Sequence, residues 1–338
     1  MKFVTALLLV LSFNLSLAQS PEVVDFIEKG IAFHDNGDYA SAIAEYNKAL
    51  EIEPKSSLIH YELSLSYFYK KDFQDAIKHA DVVIKNDDKY VKEAYITKGS
   101  CLDNLGKTKE SIKLFKKGIR KFPDVLLYYN LALNYYKLKE FEDAEKYVTL
   151  GIAQKADHAS SHLLLGYLNF DKDYKVQSLL NLHYFLLLEP TSSRSPRAVK
   201  LIKTMMSANV TKDEDDPKSV TISLSLPSKD NEFGAAEMML GLLEASKSYE
   251  ENEGKSDDEM FVENTDSFFT ILGELQDKKK KKGIYWDVYV PLFYDLAKSD
   301  HMEAYCNYIT QSANENYENW VDNNSDKLDA LAEWFSKK

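Results

Sequence analysis

The chain has 338 residues, 44% of them apolar and 12% aromatic, which is enough to bury a substantial core and excludes wholesale disorder. Two cysteines exclude a disulfide scaffold and a cysteine-built zinc or iron–sulfur site, and twelve glycines and eight prolines are too few for an all-β chain of tight turns. A net charge of −12 excludes a general nucleic-acid binder, whose phosphate contacts need a basic face.

Residues 1–18 read as an export signal. Lys2 supplies the positive end, Phe3 to Leu11 the apolar stretch, and Ser16 and Ala18 the small residues before a cleavage site. The apolar run is too short to span a bilayer, and no later stretch approaches 18 uninterrupted apolar residues. The mature protein is therefore expected without a transmembrane segment, periplasmic or secreted, with cleavage after Ala18.

From residue 21 onward a 34-residue beat sets in. Small residues recur at Gly30, Ser64, Gly99, Ala132 and Gly166, and again at Ala42, Ala76, Ser111, Ala144 and Ser178, each series spaced 34, 35, 33 and 34. Large residues follow the first series three positions on, at Phe33, Tyr67, Leu102 and Tyr135, and prolines close the first, third and fifth units at Pro54, Pro123 and Pro190. Within a unit the apolar residues follow helical spacing in two blocks broken by a polar turn (36–39, 70–73, 106–109, 138–141 and 171–174), so each unit is helix, tight turn, helix. Small residues belong where two antiparallel helices approach closely, and proline stops the second helix.

These residues resemble the tetratricopeptide repeat (TPR) family over roughly residues 21–190. The first unit matches the family pattern with Phe26, Gly30, Ala42, Tyr46, Ala49 and Pro54. Lys29, Lys98, Asp88, Ala156 and Phe185 depart from it. The resemblance implies an all-α solenoid of about five helix pairs, with residues 195–209 as a capping helix. It also implies that the first helices line a concave groove, with their fifth, ninth and twelfth positions pointing inward. Tyr61, Leu65, Phe68, Tyr129, Leu133, Tyr136, Leu163, Tyr167 and Phe170 then form an apolar, aromatic-edged surface. None of the fifth and ninth positions of the five units carries Lys, Arg or Asn, which rejects the family's carboxylate-clamp type of co-chaperone. So much exposed apolar surface calls for a partner protein or peptide, or for the chain's own C-terminal half, to fill it.

The charge changes abruptly along the chain: residues 1–210 carry 28 basic and 26 acidic side chains, residues 211–338 carry 14 and 28. The expected organisation is a leader (1–18), a solenoid (21–210), an acidic linker with an extended segment (211–231) and a smaller, mainly helical domain (232–338). Val220, Ile222, Leu224 and Leu226 alternate with polar residues as in a strand, with no partner strand evident. Helical blocks are expected at Ala235–Ser248, Asp266–Leu275, Tyr285–Lys298, His301–Thr310 and Lys327–Phe335, separated by an acidic loop at 250–259 and the lysine run 278–282. Pro291 should kink its helix or mark its first turn.

No motif for a metal, cofactor or nucleophile stands out. His158 and His162 are four apart but lack an HExxH context, and Asp35 to Asp38 begin like a calcium loop without its closing glutamate. Cys101 and Cys306 would pin the two halves together if bridged. The sequence therefore points to a non-enzymatic, exported TPR scaffold or adaptor for protein–protein interaction in the bacterial cell envelope. The competing reading is a glycan-binding or hydrolytic module in 232–338, built on Trp286, Tyr289, Tyr294, Trp320 and Trp334 with the acids Asp287 and Asp295, and targeted by the repeats.

Overall fold

The computed structural model describes residues 20–207, 210–212, 220–222, 232–246, 252, 254–276, 282–313, 320 and 323–338. The export signal, most of the acidic linker and four of the five lysines of the 278–282 run lie outside the described residues. The chain divides into two compact units, residues 1–118 and 119–338.

The first unit is built from α1 (Pro21–Asp35), α2 (Tyr39–Ile52), α3 (Ser57–Tyr69), α4 (Phe73–Asn86), α5 (Val91–Asn104) and α6 (Thr108–Lys121), the last crossing into the second unit. Ser20 opens α1 by accepting from the Val23 amide, and Asp38, in the turn between the first two helices, opens α2 by accepting from the Ser41 amide. The helices pack as the sequence pairs them, α1 on α2 and α3 on α4, with each pair resting on the next. Val23, Ile27, Ala42, Tyr46, Ala49, Ile59 and Leu63 form one continuous core.

The small residues mark the closest approaches. A Cβ on Gly30 would lie 2.3 Å from the Tyr46 ring, and one on Gly99 would lie 2.3 Å from the Phe115 ring. In the second unit a Cβ on Gly166 would lie 2.8 Å from Leu182. The partner stands sixteen residues on in each case, and at the equivalent places of the second and fourth pairs Ser64 goes with Ala80 and Ala132 with Val148. Where the first helix has glycine the second supplies a large side chain, and where it has Ser or Ala the second supplies a smaller one, as close packing of the two helices requires. In the third and fifth pairs the serine of the second series ties the helices further: Ser111 Oγ donates to the Gly99 carbonyl at 2.7 Å and Ser178 Oγ to that of Gly166 at 2.8 Å.

Each turn between the two helices of a pair holds one residue in the left-handed region: Gly37 (φ 79°), Lys71 (69°), Gly106 (74°), Lys139 (58°) and Asp173 (58°). These positions keep the repeat spacing, so two lysines and an aspartate occupy a conformation that glycine adopts without steric cost.

The second unit continues with α7 (Val125–Lys137), α8 (Phe141–Gln154), α9 (Ala159–Asp171), α10 (Lys175–Leu188) and α11 (Ser195–Met206). Two short strands follow, β1 (Val210–Lys212) and β2 (Val220–Ile222), paired antiparallel with Thr211 opposite Thr221. The extended segment therefore has a partner that three residues were too few to reveal. Next come α12 (Gly234–Ala245), α13 (Asp257–Gln276), a π-helical turn (Tyr285–Tyr289), α14 (Val290–Ala297), α15 (Met302–Thr310) and α16 (Ser325–Ser336).

Helix α13 starts nine residues before the expected Asp266. Ser256 and Glu259 form a reciprocal capping box, the Ser256 amide donating to Glu259 Oε2 at 2.8 Å and the Glu259 amide to Ser256 Oγ at 3.2 Å. The acidic run therefore serves as a first helical turn, where carboxylates suit the positive end of the helix. Pro291 falls in the first turn of α14, and its ring is incompatible with a regular bond to the Asp287 carbonyl, which accounts for the wider π turn before it.

The core of this unit does not stop at residue 210. Leu163, Leu179, Leu182, Phe185, Val199 and Ile202 from the repeats share one cluster with Phe233, Phe269, Tyr285, Trp286, Phe293 and Tyr305. Helix α11 packs on α10 and is itself contacted by α12 and α15.

Candidate functional site

In the first unit Tyr61, Leu65 and Phe68 are half-buried on successive turns of α3. Tyr61 stacks on Tyr90 with ring centroids 5.0 Å apart, and burial pushes its phenol up to about 12. Phe68 meets Tyr69 and Phe73 edgewise or tilted, and Tyr69, 52% exposed, stacks on Tyr39 at 5.5 Å. His34 closes this group, meeting both tyrosine rings on edge while its Nδ1 lies 2.8 Å from Ser66 Oγ. The aromatic surface thus extends to Tyr39 and Tyr69, which the inward-facing positions alone did not include.

In the second unit Tyr129, Leu133 and Tyr136 on α7 are half-buried and pack on the core of Ala132, Val148 and Leu165. Tyr129 meets the His158 ring at 5.3 Å. Tyr136 donates to Asp171 Oδ2 at 2.7 Å, and burial followed by this carboxylate holds its proton firmly. On α9, Tyr167 is half-buried and Phe170 is 44% exposed. Arg197 lies over the Tyr167 ring at 5.0 Å. It stands 34 residues after Leu163, so α11 adds a cation to a face that five units alone made look purely apolar. Arg194 is committed to structure, gripping Glu189 through Nε and Nη2 and Ser160 through Nη1.

Leu163 departs from the expected groove. It is buried at 6% exposure among the residues that join α10 to the C-terminal helices, and Ile284 packs on the same core of Ala132, Val148 and Leu165 that Tyr129, Leu133 and Tyr136 pack on. At this end of the repeats the C-terminal half supplies part of the cover.

That cover is polar as well as apolar. His162 Nε2 lies 2.7 Å from the Ala156 carbonyl, which only accepts, so Nε2 carries the proton and Nδ1 accepts from Tyr289 Oη at 2.8 Å. Asn169 Nδ2 donates to Tyr285 Oη at 2.7 Å and to Asn181 Oδ1 at 3.0 Å. His183 Nδ1 lies 2.9 Å from Tyr305 Oη, enclosed by the rings of Phe269 and Phe293. Burial pushes His162 down to about 4 and His183 down to about 3, so both are neutral at pH 7. His158 turns its Nδ1 to Ser161 Oγ, and among the described residues no cluster of His, Cys, Asp and Glu is arranged to hold a metal ion.

The structure favours neither of two alternatives that the sequence left open. Cys101 and Cys306 are free, each buried within its own unit, and burial pushes both thiols up, Cys101 to about 12. Trp286 (2% exposed) and Tyr289 (0%) belong to the core, Trp286 stacking on Phe233 at 4.5 Å and donating to Glu232, so they offer no carbohydrate platform. Tyr294 lies against Gly273 with Lys298 over its ring.

Helix pairs repeated at 34 residues, with small side chains at both close contacts and a left-handed residue in every turn, define a helical-hairpin repeat protein. Three stretches of these hairpins match tetratricopeptide repeat models: residues 30–71 match a family model described as TPR repeat, and residues 92–121 and 125–158 match one described as tetratricopeptide repeat. The chain is similar to a TPR repeat-containing protein of Methanocaldococcus jannaschii, 27% identical over 124 residues covering 36% of this chain and 21% of that protein. It is also similar to tetratricopeptide repeat protein 28 of Mus musculus, 29% identical over 106 residues covering 30% of this chain and 4% of that protein. The match thus spans only 21% and 4% of the length of these relatives. Among solved structures, a thermophilic TPR protein of Thermus thermophilus is similar at 16% identity and a TM-score of 0.47, covering 54% of this chain and 99% of that one. PilF of Pseudomonas aeruginosa is similar at 18% identity and a TM-score of 0.48, covering 54% and 84%. No described helix is long and apolar enough to cross a membrane.

Proposed function

We propose that the chain is a non-enzymatic, exported scaffold of the bacterial cell envelope that captures an apolar helix or extended peptide on the faces made by its first helices. The observation that carries this reading is the recurrence of half-buried aromatic and aliphatic side chains at the same places of the first helices of the second, fourth and fifth pairs. These are Tyr61, Leu65 and Phe68 in one unit and Tyr129, Leu133, Tyr136 and Tyr167 in the other. Such side chains are already ordered by their neighbours, so a ligand that covers them gains apolar contact at little entropic cost. Phe170 extends the second face, while Leu163 is withdrawn from it into the core. Export rests on residues 1–18, whose charge, apolar stretch and small residues fit a cleaved leader.

Replacing Tyr129 and Tyr136 together by alanine tests the second face. Peptides selected on the full chain from a displayed library should lose binding at least tenfold while the helical circular dichroism signal is kept. Unchanged binding refutes this face as the site. Intact mass after native expression should correspond to a chain beginning at Gln19, and retention of Met1 refutes export through this leader.

A further inference from the structure

The second unit holds a cleft of about 830 Å³ that Tyr184, Leu187 and Leu188 of α10 line on one side. Val288, Pro291, Leu292 and Asp295 line it from α14 and the turn before it, at spacing i, i+3, i+4 and i+7. Leu328, Leu331, Ala332 and Phe335 line it from α16 at the same spacing. Two helices that turn such stripes toward one space present the surface that a helix offers to another helix. Seven residues of helix span about 10 Å, or two turns. Part of each stripe serves the chain's own core, since Leu331 is 3% exposed, but Val288 is 43% exposed and Ala332 is exposed as well.

The charges around the cleft indicate what covers it. Asp287, Asp295 and Asp329 line it, and Lys338 is the one cation among the described lining residues. Lys338 shows how an ammonium is received here, with Nζ 2.6 Å from Asp295 Oδ2 and 4.8 Å from the centre of the Trp334 ring. Asp287 and Asp329 stand beside the same apolar stripes, where they suit a lysine or arginine that flanks apolar side chains. We propose that this cleft docks an amphipathic helix of two to three turns from a partner protein, apolar on one face and flanked by lysine or arginine. The site is independent of the repeat faces and stands if that reading fails.

The test uses the full chain and a fluorescein-labelled 14-residue amphipathic peptide of leucine and lysine, with a leucine–glutamate peptide of the same pattern, followed by fluorescence anisotropy at about 0.15 M salt, where exposed long-range charge attraction is largely screened. The lysine peptide should bind and the glutamate peptide should not. Val288→Asp is the discriminating variant, because it adds a negative charge while spoiling the apolar seat. Docking in the cleft predicts at least tenfold weaker binding, whereas attraction to a generally acidic surface predicts equal or tighter binding, which would overturn the proposal. Asp329→Lys should weaken binding about threefold or more. If Val288→Asp loses its helical signal, Ala332→Trp, which fills the cleft from an exposed position, takes its place with the same expected loss. Sedimentation of the wild-type chain completes the test: self-association abolished by these variants would assign the cleft to a second copy and overturn the proposal.

Discussion

His60 in the first unit and His162 in the second occupy the same place in their repeats, and the comparison shows how the solenoid ends. Both place Nε2 against the carbonyl six residues back, Pro54 at 3.2 Å and Ala156 at 2.7 Å, which leaves Nδ1 as the acceptor. For His60 the donor is His79 Nδ1 at 2.9 Å, from the second helix of the same pair. For His162 it is Tyr289, 127 residues away, from the π-helical turn. The same backbone-anchored acceptor is satisfied locally in one unit and by the C-terminal half in the other. A solenoid needs something to cover its last pair, and here the cover also completes the hydrogen bonding of the pair it covers.

Acid should break this comparison most strongly. Histidines whose folded pKa lies below the unfolded value near 6.5 bind more protons when unfolded, so the stability they confer is complete above that pH. It is lost as pH falls from about 6.5 toward the folded value. His162 and His183, down at about 4 and about 3, each cost the second unit about 2–3 kcal/mol between pH 7 and pH 4.5. In the first unit His79, lowered to about 4 by burial and then by the charge of His60, adds one such cost where the second unit carries two. Hydrogen exchange read separately on peptides from α3–α4 and from α9–α10 should show the larger loss of protection in the latter. Equal losses would mean that the histidines of the cover are no more closed to protons than His79.

Tyr289→Phe isolates one bond. It leaves His162 Nδ1 a buried acceptor without a donor, at a cost of about 1–3 kcal/mol. Urea unfolding followed by tryptophan emission suits this test, because Trp286, Trp320 and Trp334 all lie in the second unit. A stability within about 0.3 kcal/mol of wild type would show that the contact is incidental to the cover, set against the usual value of about 1 kcal/mol for such a bond.

The smallest effect should be the one the two units share. Lys71→Gly and Lys139→Gly each relieve a left-handed residue at the same turn position and should stabilise by up to about 1 kcal/mol, offset in part by the greater freedom of glycine in the unfolded chain. Equal gains by thermal unfolding would confirm that the turns are alike although the ends of the repeats are not.

What was legible in the sequence follows the same division. The pairing of helices could be read because close approach demands small residues at fixed intervals, and Gly30, Gly99 and Gly166 meet Tyr46, Phe115 and Leu182 as that spacing implies. The early start of α13 was also readable, in the Ser256–Glu259 capping box, but the density of acidic residues pointed toward a loop. Contacts such as Asn169 with Tyr285 and His183 with Tyr305, more than a hundred residues apart, leave no periodic trace, so the burial of Leu163 could not be seen. The stripes at 288–295 and 328–335 were visible as helical periodicity. That periodicity cannot say whether an apolar stripe meets its own core or an open cleft.

The facing of each glycine by a large side chain inside the hairpins constrains how such a chain can grow or shrink by recombination. A crossover in the turn of the second pair that brought in the second helix of the third would put Phe115 at the place, sixteen residues after Ser64, that Ala80 holds. The reverse exchange would leave Gly99 facing alanine across a void. Crossovers in the loops between pairs keep every glycine with its large partner. The inheritable module of this solenoid is therefore the whole hairpin, and duplications or losses that survive should begin and end between pairs.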